Sequence, residues 1–216
     1  MTYKLSILSL TTFALCSAAH AAPVYLNSNN MSVSVGAGTG VGSSNNTFAN
    51  GQTIDKVIDA ATAETEEFHN QTTHIWYSFT DPTDGLELIF DFDQSYDIST
   101  LHFWNYDGEF FDVDQVDFSF FDELGALLGT QTLLPALGTS PAITAQDISL
   151  VSPLNVSSVS AFLTGSNGQI DFQNIGFTAD ISAPPIGAVP LPASSLMLVA
   201  GLVGLGSMRR RSKPRL

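Results

Sequence analysis

Basic residues are scarce in this 216-residue chain, which has 7 lysines and arginines against 21 aspartates and glutamates. Lys56 is the only lysine or arginine between residues 22 and 208, and all 21 acidic residues lie in that stretch, which therefore carries a formal charge of −20. Proteins that bind a nucleic-acid backbone need clustered lysine and arginine. The charge distribution therefore excludes nucleic acid as a partner.

Cysteine is also nearly absent, and the single residue, Cys16, lies in an apolar N-terminal run. Residues 1–4 are basic, residues 5–17 are mostly apolar, and Ala19-His20-Ala21 has the pattern that signal peptidase cuts. We expect residues 1–21 to be a signal peptide that the Sec export machinery reads. The mature protein then has no thiol, which excludes disulfides, thiolate metal sites and a cysteine nucleophile.

The C-terminal end has a proline-stiffened linker at residues 182–188 and a second apolar run at residues 191–208. This run has no charged residue, and its 18 residues would measure about 27 Å as a helix, against about 30 Å of membrane hydrocarbon. The basic tail, residues 209–216, follows it and includes Arg209, Arg210 and Arg211. We predict one transmembrane helix at residues 191–208, with the three arginines as a cytoplasmic stop-transfer signal.

The motif at the start of this region consists of Val189, Pro190, Leu191, Pro192 and Ala193. Together with the apolar run and the arginines, over residues 189–216, it resembles the PEP-CTERM sorting signal of Gram-negative bacteria in its Val-Pro-Leu-Pro-Ala variant. The resemblance implies a substrate of an exosortase-type sorting enzyme. Such a protein is anchored in the inner membrane with its ectodomain outside the cytoplasm. It then reaches the cell surface or the extracellular matrix of a biofilm after C-terminal processing.

Residues 22–181 show the period-two alternation that is typical of β-strands. Leu86, Leu88, Phe90 and Phe92 alternate with polar or smaller side chains. Glycine, asparagine, proline and aspartate separate the strand candidates at short intervals. The other candidates are residues 32–35, 75–79, 97–105, 116–121, 126–133, 143–151, 156–164 and 170–178. Strands without intervening helices predict an all-β antiparallel β-sandwich or jelly roll.

Several segments resemble the discoidin, or coagulation-factor type C, branch of the galactose-binding-like fold. They are Val57-Ile58-Asp59, Thr62, Thr65, Phe68-His69-Asn70, residues 86–92, residues 98–105 with their terminal Asn105, and Ile175-Gly176-Phe177. The resemblance covers residues 30–180 and implies a module that binds glycans, lipid head groups or proteins at its loop tips. It also implies a structural calcium near the Ile-Asp loop. Residues 62–73 are longer and more acidic than is usual in the family, and the family's frequent terminal disulfide is impossible here.

Carboxylates cluster in three loops, and oxygen-rich loops suit a hard cation such as calcium. Asp59, Glu64 and Asp107 are the leading candidates for a calcium site. The alternative is a solvated acidic surface that keeps an exported protein soluble. His69 and His74 make zinc conceivable, but no His-x-x-x-His pair with a catalytic glutamate supports it.

Aromatic residues near turns suit stacking against sugar rings. His102, Trp104 and Tyr106 fall on the face opposite Leu101 and Phe103, so we expect them to be exposed and to contact a glycan. The alternative is ordinary core packing.

We therefore expect a non-catalytic module that binds or organises extracellular polysaccharide. A calcium-bridged, self-associating surface module is the second possibility. An extracellular glycan-active enzyme is the third, although no Gly-x-Ser-x-Gly elbow points to a hydrolase.

Overall fold

The computed structural model describes residues 22–44, 54–70, 74–151 and 154–183. The predicted signal peptide, sorting motif, transmembrane helix and arginine cluster lie outside these ranges. The chain divides into two compact units, residues 1–181 and 182–216, and the account below concerns the first. Within the described ranges, no helix has both the length and the apolar character needed to cross a membrane.

The described part of the chain consists of β-strands and one short 3-10 helix, Ile54–Ile58. The strands are β1 (Val24–Leu26), β2 (Met31–Val35), β3 (Gly42–Ser44), β4 (Glu67–Phe68), β5 (Ile75–Phe79), β6 (Leu86–Asn105), β7 (Gln115–Phe121), β8 (Leu127–Leu133), β9 (Ala142–Ile143), β10 (Gln146–Ser149), β11 (Val156–Thr164) and β12 (Gln169–Ile181). All strand pairs are antiparallel. The predicted all-β antiparallel fold is confirmed.

Strand β6 belongs to both layers of the sandwich. Its first half, at residues 86–92, pairs with β2 and β11, and β7 and β8 extend that layer beyond β11. Its second half, at residues 96–105, pairs with β10 and β12. Beyond β12 the second layer continues through β1, β5 and β3.

The alternation predicts two strands, at residues 85–93 and 97–105, whereas the structure has the single strand β6 over residues 86–105. The polar stretch between them, Asp93 to Tyr96, gave the impression of a break. Its side chains are instead hydrogen-bonded to one another, since the Tyr96 hydroxyl donates to Asp93 Oδ1 at 2.8 Å and Gln94 Nε2 donates to Tyr96 at 3.1 Å. These contacts satisfy the polar side chains where the strand passes from one layer to the other.

The main core lies between the two layers. Phe90, in the first-layer half of β6, packs its ring edge-on against Phe177 of β12, with centroids 5.7 Å apart. Leu86, Leu88 and Phe90, which were predicted to share one face, are all fully buried. Burial of such side chains stabilises the fold by about 1.5–3 kcal/mol each.

The outer face of the second layer is covered by residues 59–70, which we call the cover segment. Part of it, β4, pairs with β9 to form a small separate sheet. Ala60, Trp104 and Ile143 form a second apolar cluster beneath it. Strand β12 is therefore buried on both faces from Ile170 to Phe177.

Candidate functional site

His102 and Trp104 are buried and not at the surface, and Trp104 lies beneath the cover segment. Trp104 is fully buried, and its Nε1 donates a hydrogen bond to the carbonyl oxygen of Thr65 at 2.8 Å. His102 is 4% exposed, with its ring nitrogens 2.7 Å from Asp147 Oδ1 and 2.7 Å from Thr178 Oγ1. The prediction that both side chains are exposed is wrong. Strand alternation gave the correct face, but it could not show that another segment covers that face.

Tyr106 reaches the edge of the fold, where β6 ends, and it is half-buried. The His69 ring lies 4.9 Å from it and the His74 ring 6.3 Å from it, measured between centroids. The two imidazoles are 4.5 Å apart. We call His69, His74 and Tyr106 the ring cluster. His69 is exposed, whereas His74 is buried.

Two polar groups hold the buried member of the ring cluster. His74 Nδ1 donates to the carbonyl oxygen of Asn70 at 2.8 Å, and its Nε2 lies 3.5 Å from Asp171 Oδ2. Asp171 lies in β12 and is itself buried. His74, directly before β5, is thereby attached to β12 and lies beside His69 and Tyr106.

The hydroxyl of Tyr106 is kept protonated by its surroundings. Burial raises its pKa most, and the negative charges of Asp107 and Asp171 raise it further, because each disfavours the phenolate. At neutral pH the group is therefore a hydroxyl that can both donate and accept a hydrogen bond.

Residues 106–113 form the loop that carries Tyr106, and Asn105 fixes its conformation. The Asn105 Oδ1 atom accepts hydrogen bonds from the backbone nitrogens of Tyr106 (3.0 Å) and Val113 (2.9 Å). Its Nδ2 donates to the carbonyl oxygens of Val113 and Ala136, both at 3.0 Å. Gly138 donates its backbone N–H to the Tyr106 carbonyl, and a Cβ atom there would collide with the Asn105 carbonyl oxygen.

The same loop exposes two further aromatic rings. Phe110 is 68% exposed and Phe111 is 43% exposed. Asn167 donates to the carbonyl oxygen of Phe110 at 2.8 Å, and the backbone nitrogen of Asp171 donates to that of Phe111. The loop is therefore anchored to the chain leading into β12, and its phenylalanine side chains face solvent.

The residues predicted to bind calcium fall into two places. Asp59 and Glu64 lie on the cover segment, close enough to Tyr25 for their negative charges to raise the pKa of its hydroxyl. Asp107 is a neighbour of Tyr106. In the described ranges no three histidine, cysteine, aspartate or glutamate side chains are grouped to hold a metal ion. The rings of His69 and His74, the two residues considered for zinc, do come together, with centroids 4.5 Å apart.

Sequence reasoning missed the ring cluster and the function of Asn105. His69 and His74 were considered as zinc ligands, and His69 also as part of the family resemblance, but no local pattern relates them to Tyr106, which is more than 30 residues away in the chain. Asn105 was noted only as a residue that resembles the family's strand end. That resemblance was the one available signal.

No protein-family model matches the chain, and no curated protein matches it either.

Solved structures do resemble this one. An F5/8 type C domain from Bacteroides fragilis matches with a TM-score of 0.51 at 11% identity, covering 74% of this chain and 97% of that one. The module CBM32-3 of a family 31 glycoside hydrolase from Clostridium perfringens gives 0.49 at 10% identity, covering 72% and 94%. The family 32 module of NanJ from C. perfringens, in complex with galactose, gives 0.43 at 10% identity, covering 68% and 93%. The fold of this chain is thus that of an F5/8 type C domain.

Proposed function

We propose that this protein is an exported, non-catalytic module that binds extracellular polysaccharide through the ring cluster and the loop at residues 106–113. The observation that carries the proposal is the exposed His69 ring beside the half-buried Tyr106 ring, on a loop that Asn105 fixes. Flat rings beside hydrogen-bonding groups suit a sugar, whose faces are apolar and whose edge carries hydroxyls. Phe110 and Phe111 add exposed rings on the same loop.

The charge of the surroundings narrows the class of polysaccharide. Asp107, Glu109 and Asp171 lie on or beside the loop, and Lys56 is already paired with two carboxylates. An acidic polysaccharide would therefore meet repulsion and no lysine or arginine partner. The ligand is a neutral or amine-bearing glycan.

The arrangement of carboxylates argues against glycoside hydrolysis. Such catalysis needs two carboxyl groups facing the scissile bond, one of them with a raised pKa. Burial, together with the negative charges of Asp114 and Glu109, raises the pKa of Asp112. However, Asp112 is only 7% exposed and faces the amide of Asn105 at 3.4 Å, so it is not open to a substrate.

The regions outside the described residues contain the signals that target the protein to its location. A signal peptide at residues 1–21, the motif Val189 to Ala193 and the arginines at 209–211 would deliver the domain to the membrane and then to the sorting enzyme. The final location is the cell surface or extracellular matrix. Mass spectrometry of the native protein tests this proposal, since sorting predicts termini after Ala21 and near the motif. Recovery of uncut chains would contradict it.

Binding is tested by retention of the purified chain on immobilised polysaccharides of neutral, amine-bearing and acidic type. Tyr106→Ala and Phe111→Ala are expected to weaken retention on the neutral or amine-bearing polymers by about fivefold or more, because truncating an energetically important aromatic side chain costs about 1 kcal/mol or more. The matched control is Leu124→Ala, which removes a 93% exposed apolar side chain from the turn between β7 and β8. Equal retention of all three folded variants would contradict the site. Preference for the acidic polymer would contradict the ligand class alone.

The self-association alternative makes a different prediction. A calcium-bridged module would sediment as larger species when calcium is added and would return to monomer in a chelator. A sedimentation experiment on the same preparation separates this behaviour from glycan binding.

A further inference from the structure

Lys56, the only lysine or arginine in the described residues, is paired inside the protein and is not free at its surface. Its side chain is 17% exposed, and Nζ lies 3.0 Å from Asp59 Oδ1 and 3.0 Å from Glu67 Oε2. The ammonium group therefore bridges the two carboxylates, one near each end of the cover segment.

Asn174 of β12 binds the same two carboxylates from below. Its Nδ2 donates to Asp59 Oδ1 at 2.9 Å and to Glu67 Oε1 at 3.0 Å, while its Oδ1 accepts from the backbone nitrogen of Ala60 at 3.0 Å. Asn174 is fully buried. Beside the Trp104–Thr65 hydrogen bond, the Asn174 amide thus attaches the cover segment to the second layer, and Lys56 offsets part of the negative charge at this attachment.

The electrostatic field around this attachment is strongly negative. Burial, followed by the charges of Glu67, Asp59 and Glu64, raises the pKa of the nearby Tyr25 hydroxyl. Asp59 and Glu67 are held close together by the same two partners, and two neighbouring carboxylates repel one another. Lys56 supplies the positive charge that offsets this repulsion.

The F5/8 type C resemblance implies a structural calcium near this loop, but the residues present do not fit one. Calcium takes six to eight oxygen ligands at about 2.3–2.6 Å. Here an ammonium nitrogen already lies within 3.0 Å of both carboxylates, and it would repel a second cation. Asn174 presents its NH₂ group to the carboxylates, and its oxygen is used by Ala60.

We propose that Lys56 is an internal substitute for a divalent cation, and that this domain holds its cover segment in place without calcium. The ammonium group pairs with both Asp59 and Glu67, offsets one of their two negative charges, and allows Asn174 to bind both. The positive charge is covalently part of the chain, so the fold does not depend on the ion content of the medium.

Thermal unfolding of the purified full chain tests the proposal, in millimolar calcium and in chelator. The wild-type midpoint is expected to be the same in both, because a ligand that binds only the native state must raise it. Lys56→Gln is expected to lower the midpoint by about 3–6 °C in both media, because the mostly buried Glu67 loses its cation while water screens the loss at Asp59, whose side chain is 48% exposed. Lys56→Arg retains the charge and should recover most of the loss.

A second measurement uses the double variant Lys56→Gln/Glu67→Gln. It removes the lysine together with one of its two carboxylate partners, so less repulsion is left uncompensated. It is expected to melt above Lys56→Gln. A wild-type midpoint that rises with calcium and falls in chelator would overturn the proposal, and so would a Lys56→Gln midpoint equal to the wild-type value. If Lys56→Gln yields no folded protein, the proposal is still tested by the melting midpoint of the double variant and by the wild-type midpoints in calcium and in chelator.

Discussion

The side chain of Asn105 is hydrogen-bonded to Val113 at both ends of its amide, donating to the carbonyl oxygen at 3.0 Å and accepting from the backbone nitrogen at 2.9 Å. This reciprocal pair closes the loop at residues 106–113 into a ring between β6 and β7. The loop is therefore fixed before any ligand arrives. A fixed loop loses little conformational entropy on binding, which favours affinity.

Asn105→Asp is expected to destabilise the domain by about 3–5 kcal/mol, although it changes the side-chain volume very little. The Nδ2 donor becomes an oxygen that faces the carbonyl oxygens of Val113 and Ala136, so buried acceptors lose their partner and repel a charge. Urea denaturation measures the loss. The control is Asn167→Asp, which alters one exposed hydrogen bond to the same loop and should cost less than about 1 kcal/mol. Similar losses in the two variants would contradict the structural role of Asn105.

Asp112→Asn is expected to stabilise the domain near neutral pH. Burial raises the pKa of Asp112 above its unfolded value of 3.8, so the native state binds the proton more tightly than the unfolded state does. The cost of ionising Asp112 therefore appears as pH rises above that value and is fully present above the native pKa. The gain from asparagine should vanish as the pH falls below 3.8, as measured by thermal melts across this range.

Asp81→Asn is the control, because it is expected to change stability at neutral pH in the opposite direction to Asp112→Asn. Hydrogen bonds from the backbone and side chain of Thr83 lower the pKa of the Asp81 carboxyl. Its ionised form therefore stabilises the native state at neutral pH, and that stabilisation is lost as the pH falls through the native pKa. Asp81→Asn should lower the midpoint at neutral pH only. The same sign for both variants would show that the assigned environments are wrong.

Gly176→Ala is expected to cost about 1–3 kcal/mol, because the Tyr25 ring lies directly on Gly176. A Cβ atom there would stand 2.8 Å from Tyr25 Cζ and closer still to the hydroxyl oxygen. In a Tyr25→Ala background most of this cost should disappear, which a double-mutant cycle measures. Gly129→Ala, where nothing lies within 4 Å of the new atom, is the control. Additive effects of the Gly176 and Tyr25 substitutions would mean that the two residues do not collide.

Trp104→Phe is expected to lower stability by about 1–3 kcal/mol without changing polysaccharide retention by the folded protein. The substitution removes the hydrogen bond to the Thr65 carbonyl and part of a fully buried ring, but it leaves the surface unchanged. Chemical denaturation gives the first quantity and column retention the second. Loss of retention with unchanged stability would contradict a purely structural role for Trp104.

The strands could be predicted from the sequence because their information is local. The alternation of Leu86, Leu88 and Phe90 with polar or smaller residues depends on neighbours two positions away, and a sheet with one buried face imposes that pattern. The predicted break after residue 93 was wrong, because the same local pattern does not show how polar residues pair with one another. Polar residues there satisfy one another across two or three positions, a relationship that periodicity does not detect.

The candidate site could not be predicted because its residues meet only through the tertiary fold. The cover segment has no periodic pattern, and its contact with Trp104 joins positions 39 residues apart. Burial of Trp104 follows from that contact, whereas His102 is held between Asp147 of β10 and Thr178 of β12. The scarcity of lysine was visible in composition, but the partners of Lys56 depend on where β12 places Asn174.

Because β6 belongs to both layers, neither layer can be exchanged by itself during evolution. In a sandwich whose sheets have separate strands, one sheet can be exchanged or enlarged while the other keeps its backbone partners. Here the same twenty-residue strand supplies hydrogen-bond partners to β2 and β11 at one end and to β10 and β12 at the other. Recombination within β6 would remove hydrogen-bond partners from both layers at once, so the strands of the sandwich are inherited as a single block.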